Sequence, residues 1–325
     1  MIEFLKKPFV YATIFGVTLT SLNAYVLLKT YLIPSVEGYV PQTAHDSSYE
    51  SVADSEGANA ADDSADNDST ENETAYNSEP VVTDTSYSDG NININISTVR
   101  AYDTNIYIAD VTLSSAEYLK TALADNTFGR NITEKTSVMA QANNAILAVN
   151  GDYYGANSRG YVIKNGTIYR DTVRKDSQYD DLVIYSDGSF GIVNEATVSA
   201  QDLVDSGVVN LFAFGPTLVS NGQLTVSQND EVGKAMANNP RTAIGIIDNL
   251  HYIIVVSDGR TNESTGLSLY ELAQVMQQYG CKTAYNLDGG GSSTMYFNGQ
   301  VVNNPTTNGR KISERSVSDI VYLGY

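Results

Sequence analysis

Residues 286–294 read Asn-Leu-Asp-Gly-Gly-Gly-Ser-Ser-Thr. A carboxylate, Asp288, closes an apolar run, and Gly289, Gly290 and Gly291 follow it directly. Three uses fit that pattern: a tight turn, a cradle of backbone N–H groups for an anion, or the floor of an active site. Successive glycines expose amide donors, and Ser292 and Ser293 add hydroxyls. A two-residue hairpin needs one or two glycines rather than three. No Gly-Lys-Ser/Thr follows and the next element reads as a strand, so the stretch is not a P-loop. Two further carboxylates end strand-like runs: Asp152 after AVNG and Asp258 after YIIVVS. Asp-Gly is ordinary turn material, yet loops at strand ends are also where a rigid scaffold mounts function.

Elimination narrows the chemistry. The chain has two histidines, His45 and His251, and one cysteine, Cys281. A zinc site built on His or Cys therefore has too few ligands, and a Ser-His-Asp site would have to use His251. If the domain is an enzyme, its acid and base work falls on carboxylates, of which Asp288, Asp258 and Asp152 stand at strand ends, with Tyr or Lys as lesser options. Arg241, Arg260 and Arg315 supply planar cations suited to phosphate, although an Arg opening a strand also serves as a surface ion pair. Tyr153, Tyr154 and Tyr296 flank the candidate loops and could stack on sugar rings. Glu271 reads as the second half of a capping box, and Cys281 as a buried apolar filler. No metal and no cofactor are expected; a single calcium ion on Asp and carbonyl oxygens would suit the residue types but is not predicted.

The elements that must position these residues are mainly strands. Residues 105–113, 145–150, 181–186, 242–247, 251–257 and 318–323 are rich in β-branched and aromatic side chains. Asn165-Gly166, Asn221-Gly222, Asn298-Gly299 and Asp187-Gly188 signal hairpins, whose two central residues take positive φ. Helical spacing marks residues 114–125, 133–144 and 268–279, the last with a Ser268/Glu271 capping box and a Gly280 stop. The expected fold class is α+β: residues 91–325 form one domain, with a mixed, largely antiparallel sheet packed by a few helices.

A different composition precedes that domain. Between Lys7 and Lys29 lie 21 uncharged residues, about the ~20 that span a bilayer as helix. Lys6 and Lys7 before them favour a cytoplasmic N-terminus. A cleaved signal peptide is the rival reading, but Ser-Leu-Asn-Ala at 21–24 is a weak match to an A-x-A-like site, so residues 1–33 read as an uncleaved transmembrane anchor in preference to it. Residues 34–90 hold 14 of the 38 acidic residues and no Lys or Arg, and read as a disordered acidic linker. The rest of the chain sets 24 acids against 19 bases, a balance of −5. This excludes the basic face that a nucleic-acid partner requires. A single cysteine is compatible with the outside of a cell lacking disulfides; the expected location is the cell membrane, single-pass, with the C-terminal domain extracellular.

Taken in order, AVNGDYYG (148–155), FGPTLVSNG (214–222), RTAIGI (241–246), SDGRTNESTGLSLYELAQVM (257–276), AYNLDGGGSSTMYFNG (284–299) and RSVSDIVYL (315–323) resemble the phosphodiester glycosidase family. The resemblance covers about residues 100–325. It implies hydrolysis of a sugar-1-phosphodiester, in bacterial members often described as exopolysaccharide-related. By motif, Asp288, Asp258, Arg241 and Arg315 would line the pocket with Asn150, Asn286, Gly290 and Ser292. Asp152 matches the bacterial Asn-Gly-Asp pattern, at a position that is not acidic throughout the family. The leading expectation is a hydrolase acting on cell-envelope or exopolysaccharide polymers, with Asp288 as base or nucleophile and Asp258 as its partner. Arg241, Arg315 and Arg260 would hold phosphate, and Gly289, Gly290, Ser292 and Ser293 would offer donors. The alternatives are a non-catalytic glycan-binding or envelope-assembly protein on the same scaffold, or a phosphodiesterase that cuts P–O.

Overall fold

A computed structural model describes residues 8–38, 79–175, 180–230 and 238–325. Most of the acidic linker (39–78), with His45, and the Lys6-Lys7 pair lie outside the described residues. The anchor segment is one helix, Pro8–Tyr31. Its Phe9–Tyr31 portion is long and apolar enough to cross a membrane, with a mean hydropathy of 1.4. At ~1.5 Å per residue the helix is about 36 Å long, against a hydrocarbon core of about 30 Å.

Two principal sheets carry the domain, where the sequence reading expected one, and every strand pairing among the described residues is antiparallel. The larger has nine strands, with Thr283–Asn286 beside Arg241–Asp248, then His251–Ser257, Thr104–Leu113 and Ile92–Ala101. The smaller has five and centres on Leu147–Asn150, between Met295–Phe297 and Asp319–Leu323. A three-stranded sheet, Phe190–Val193, Asp181–Tyr185 and Val208–Phe212, closes one side. The sheets face one another across a shared core that joins Ile94, Val111, Ile254 and Tyr285 to Val149, Met295, Val321 and Phe212.

Local sequence explains most of these elements. Ile92, Ile94 and Ile96 are buried and Asn93 and Asn95 exposed, the period-2 alternation of a half-buried strand. Helix Leu269–Gln278 begins in a complete Ser268/Glu271 capping box, and Gly280 lies just past its end at φ 82°. Its Leu269, Leu272, Ala273 and Met276 cover the outer face of the large sheet against Ala243, Ile253 and Val255. The Asn165-Gly166, Asn221-Gly222 and Asn298-Gly299 pairs all take positive φ and join strands as hairpins. In Asp187-Gly188 only Gly188 has positive φ, so this turn is of another type.

Three expectations need correction. Residues 114–125 are not a helix: a 3-10 turn, Ala116–Tyr118, leads into strand Leu119–Leu123. Leu119, Thr121 and Leu123 are buried there, and the strand pairs along its length with Asp319–Leu323. A sheet edge needing a partner overrides the helix propensity of Leu, Lys and Ala. The helix placed over 133–144 is confined to Thr136–Ala142. The sheet also takes in residues read as linker, because Ser86–Ser88 pairs with Ile92–Ala101 and Val81–Val82 pairs in turn with Ser86–Ser88.

A buried ion pair ties the hairpin strand Val162–Lys164 to the closing strand Asp319–Leu323. Lys164 Nζ lies 2.7 Å from Asp319 Oδ2, both side chains almost wholly buried, and 3.7 Å above the Phe212 ring. Burial pushes the Asp319 carboxyl up, against the pull of Lys164. Removing one member strands the other charge, whereas removing both does not. Lys164→Met is expected to cost about 3–5 kcal/mol in urea unfolding, and Lys164→Met/Asp319→Leu to recover most of it. A single variant as stable as the parent would show that the pair carries no such constraint.

Candidate active site

The large sheet brings the candidate loops to one edge. Ala243 pairs with Asn286 and Arg241 with Ser257. The chain past Asn286 continues alongside, Leu287 N–H donating to Thr242 O at 2.9 Å. Asp288 and Ser257-Asp258 therefore reach the same edge from strands on either side of Arg241. Two strand spacings put them roughly 10 Å apart.

Asp288 is buried, 7% exposed, and every polar contact aims at ionising it. Ser292 Oγ donates to Oδ2 at 2.5 Å, Arg315 Nη2 donates to Oδ2 at 3.0 Å, and the Gly289 N–H donates to Oδ1 at 2.8 Å. Burial raises its pKa nonetheless, outweighing Arg315, Ser292 and the Gly289 amide. Arg315 also donates from Nε to Ser292 Oγ at 2.9 Å and from Nη2 to Gly289 O at 3.2 Å, while its Nη1 is outside these contacts. The backbone of Asp288 is fixed from the other sheet: its N–H donates to Gly151 O at 3.1 Å, and Asn150 Nδ2 donates to its carbonyl at 2.6 Å.

Close approach explains the glycine run. A Cβ on Gly289 would lie 2.9 Å from Pro240 O, one on Gly291 2.4 Å from Thr307 Oγ1, and one on Gly290 2.9 Å from Arg260 Nη2. Gly290 also has φ 62°, which side chains resist. The Gly290 N–H donates to Pro240 O at 2.8 Å, so the loop is a packed 3-10 turn, Gly290–Ser292. Arg260 lies against it, held by Asn239 Oδ1 at 2.8 Å and Thr307 O at 2.5 Å. Burial and the charge of Arg315 pull the Arg260 guanidinium below its ordinary pKa, as expected of two cations crowded at one site.

The other sequence candidates gather around this centre, mostly as braces. Asp258 Oδ1 accepts from Asn304 N–H at 2.7 Å and Asn303 Nδ2 at 3.4 Å, and Oδ2 from Tyr107 O–H and Asn304 Nδ2, both at 3.2 Å. With both oxygens occupied, it fixes the 303–305 turn, and Asn303 passes that support to Ser293 O at 3.0 Å. Asp152 accepts from the Tyr154 and Ala213 amides at 2.9 and 3.1 Å. Asn150 Oδ1 accepts from Thr242 Oγ1 at 2.8 Å and Thr294 N–H at 3.3 Å, so one side chain links both sheets and Asp288. Asn286 Nδ2 donates to Gly215 O at 2.7 Å. Its Oδ1 and the Ser293 hydroxyl are buried with no hydrogen-bond partner among the described residues. Arg241 is buried and donates from Nε to Leu267 O at 2.9 Å. Among the described residues no three His, Cys, Asp or Glu side chains are placed to hold a metal ion.

Asn239, Asn303, Asn304, Thr242 and Thr307 escaped the sequence reading. One signal was available: Asn-Asn-Pro occurs at both 238–240 and 303–305, and each copy braces a site residue, Arg260 or Asp258. Two substitutions separate bracing from binding. Gly290→Ala is expected to cost roughly 1–2 kcal/mol from positive φ alone, with further loss as Arg260 is displaced, read as a lowered Tm. Gly299→Ala, also at positive φ (90°) but with no atom within 4 Å of the new Cβ, should show the conformational cost alone. Equal losses in the two would remove the close-packing account.

A sequence model of the phosphodiester glycosidase family matches residues 143–323. SPbeta prophage-derived protein YomE of Bacillus subtilis, itself uncharacterized, is 29% identical over 201 residues, 61% of this chain and 31% of that protein. Human N-acetylglucosamine-1-phosphodiester alpha-N-acetylglucosaminidase is 28% identical over 186 residues, 51% of this chain and 35% of that protein. The chain thus spans about a third of the length of these curated relatives. The catalytic domain of the zebrafish N-acetylglucosamine-1-phosphodiester alpha-N-acetylglucosaminidase, solved auto-inhibited by its pro-peptide, shares the fold: TM-score 0.56 at 21% identity, over 72% of this chain and 83% of that one. A family match over more than half of the residues makes this chain a member of the phosphodiester glycosidase family.

Proposed function

We propose that this protein is a membrane-anchored hydrolase that breaks the bond between a sugar's anomeric carbon and a phosphodiester oxygen, acting outside the cell on envelope or exopolysaccharide polymers. The observation that carries the reading is Asp288: a buried carboxylate turned toward ionisation by Ser292, Arg315 and a backbone amide, with Arg260 packed against Gly290 of the same loop. The names of the human and zebrafish relatives make an N-acetylglucosamine-1-phosphodiester the first substrate to test.

Glycosidic cleavage passes through an oxocarbenium-like state and ordinarily uses two carboxyl groups, one of them protonating the leaving oxygen. A phosphate monoester leaving group has a second pKa of about 6, so it departs without a strong acid. One carboxylate then suffices. Asp288 accepts a proton from the attacking water, the C1–O bond breaks, and its electron pair leaves with the phosphate. Arg315 and Arg260 stabilise the charge that develops there, the preorganised electrostatic role of an oxyanion hole. Asp258 and Asp152 act as positioning residues, through the 303–305 turn and the loops at Tyr154 and Ala213.

The expected result for Asp288→Asn in the full, detergent-solubilised chain is a fall in kcat of about 10²–10⁴-fold with the Tm within a few degrees of the parent. The pH profile adds a second check. The ionised carboxylate is the active form and its pKa is raised, so activity falls as pH drops through a value above the ~3.9 of an ordinary Asp. An Asp288→Asn enzyme with near-parental kcat, or an acid limb at or below pH 4, contradicts the assignment.

A further inference from the structure

A concavity of about 550 Å³ is lined by Tyr153, Arg159, Arg174, Lys175 and Phe214 among others. It is joined to the site by both segments that hold the Asp288 strand. Asn150, which bonds the Asp288 carbonyl, precedes Tyr153 by three residues, at most about 10 Å of chain. Gly215, which accepts from Asn286, directly follows Phe214. A smaller cavity lined by Asp152, Tyr153 and Phe214 continues the cleft inward.

The lining sorts into a wall and a binding surface. Arg174 is neutralised by Asp181 and Glu195 and donates to Ala213 O at 2.7 Å, so it builds the wall. Arg159 and Lys175 are exposed, and among the described residues neither forms an ion pair; Arg159 spends one donor on Val173 O at 3.1 Å. Tyr153 is 48% exposed and Phe214 half-buried. Two uncompensated cations beside two aromatic faces match a sugar carrying negative charge: the rings stack on its apolar face, and the cations meet its anionic group.

We infer that this cleft holds the next phosphate-bearing unit of the substrate, so that the preferred substrate is a phosphate-linked glycan chain rather than a single sugar phosphodiester. The inference rests on the proposed hydrolase function for the identity of the ligand, and its test reads binding, not turnover. The full chain carrying Asp288→Asn, which prevents consumption of the probe, is titrated with a one-unit and a three-unit N-acetylglucosamine phosphodiester and with a three-unit chain whose outer linkages are neutral. The three-unit phosphodiester is expected to bind at least ten-fold tighter than the one-unit probe, with the gain shrinking in high salt. Arg159→Glu/Lys175→Glu should abolish that gain and leave one-unit binding unchanged. Circular dichroism checks the fold of this surface variant. No gain in the parent chain, a gain that survives the double substitution, or an equal gain for the neutral-linked chain would overturn the inference. Should Asp288→Asn keep full activity while the gain and its loss are observed, the proposed chemistry fails and the anion-binding cleft stands.

Discussion

The structure turns on the junction between the backbone of Asp288 and the Asn150-Gly151 corner. Asn150 ends the Leu147–Asn150 strand of the small sheet and Asp288 follows the Thr283–Asn286 strand of the large one. Two hydrogen bonds across that junction, at 3.1 and 2.6 Å, and two more from the Asn150 side chain to Thr242 and Thr294, fix where the sheets meet. The corner admits little variation. Asp319 lies so close beneath Gly151 that a Cβ there would fall 2.5 Å from its Oδ1, and Asp319 is itself pinned by Lys164. The position of one carboxylate is thus set by the packing of two sheets and a buried ion pair, the rigid support a reacting group requires.

Electrostatics at the site oppose one another. Desolvation favours the neutral form of Asp288, while Arg315, Ser292 and the Gly289 amide favour the charged one. The balance leaves a carboxylate more basic than one in water yet in contact with a guanidinium. Arg260 and Arg315 repel each other, a cost that an incoming phosphate would relieve. That charge pattern is what the proposed anionic substrate requires, and the inferred role of the aromatic and basic cleft beyond Tyr153 would extend it.

Much of this was legible in the sequence where the signal is local. The Ser268/Glu271 capping box, the Asn-Gly turns and the surplus of glycine after Asp288 each specify their own backbone. Residues 114–125 misled because Leu, Lys and Ala suit a helix, and only pairing with a strand some 200 residues later decides otherwise. Asp258 and Asp152 were located as strand-end carboxylates, but their partners were beyond reach: Asn304 and Ala213 are 46 and 61 residues away. Side-chain type shows that a carboxylate stands at a strand end; only tertiary contacts show whether its oxygens are occupied. Asp288 differs from Asp258 in the kind of partner: a guanidinium, Arg315, supplies part of its contacts, whereas Asp258 is held by amides and a tyrosine hydroxyl.

The central claim is that water attacks carbon and phosphate departs with the bridging oxygen. Hydrolysis of an N-acetylglucosamine-1-phosphodiester by the full chain in ¹⁸O-labelled water, read by mass spectrometry of both products, tests it most directly. The label is predicted on the anomeric hydroxyl of the sugar, with unlabelled phosphate. Label in the phosphate would mean P–O cleavage and would contradict the account.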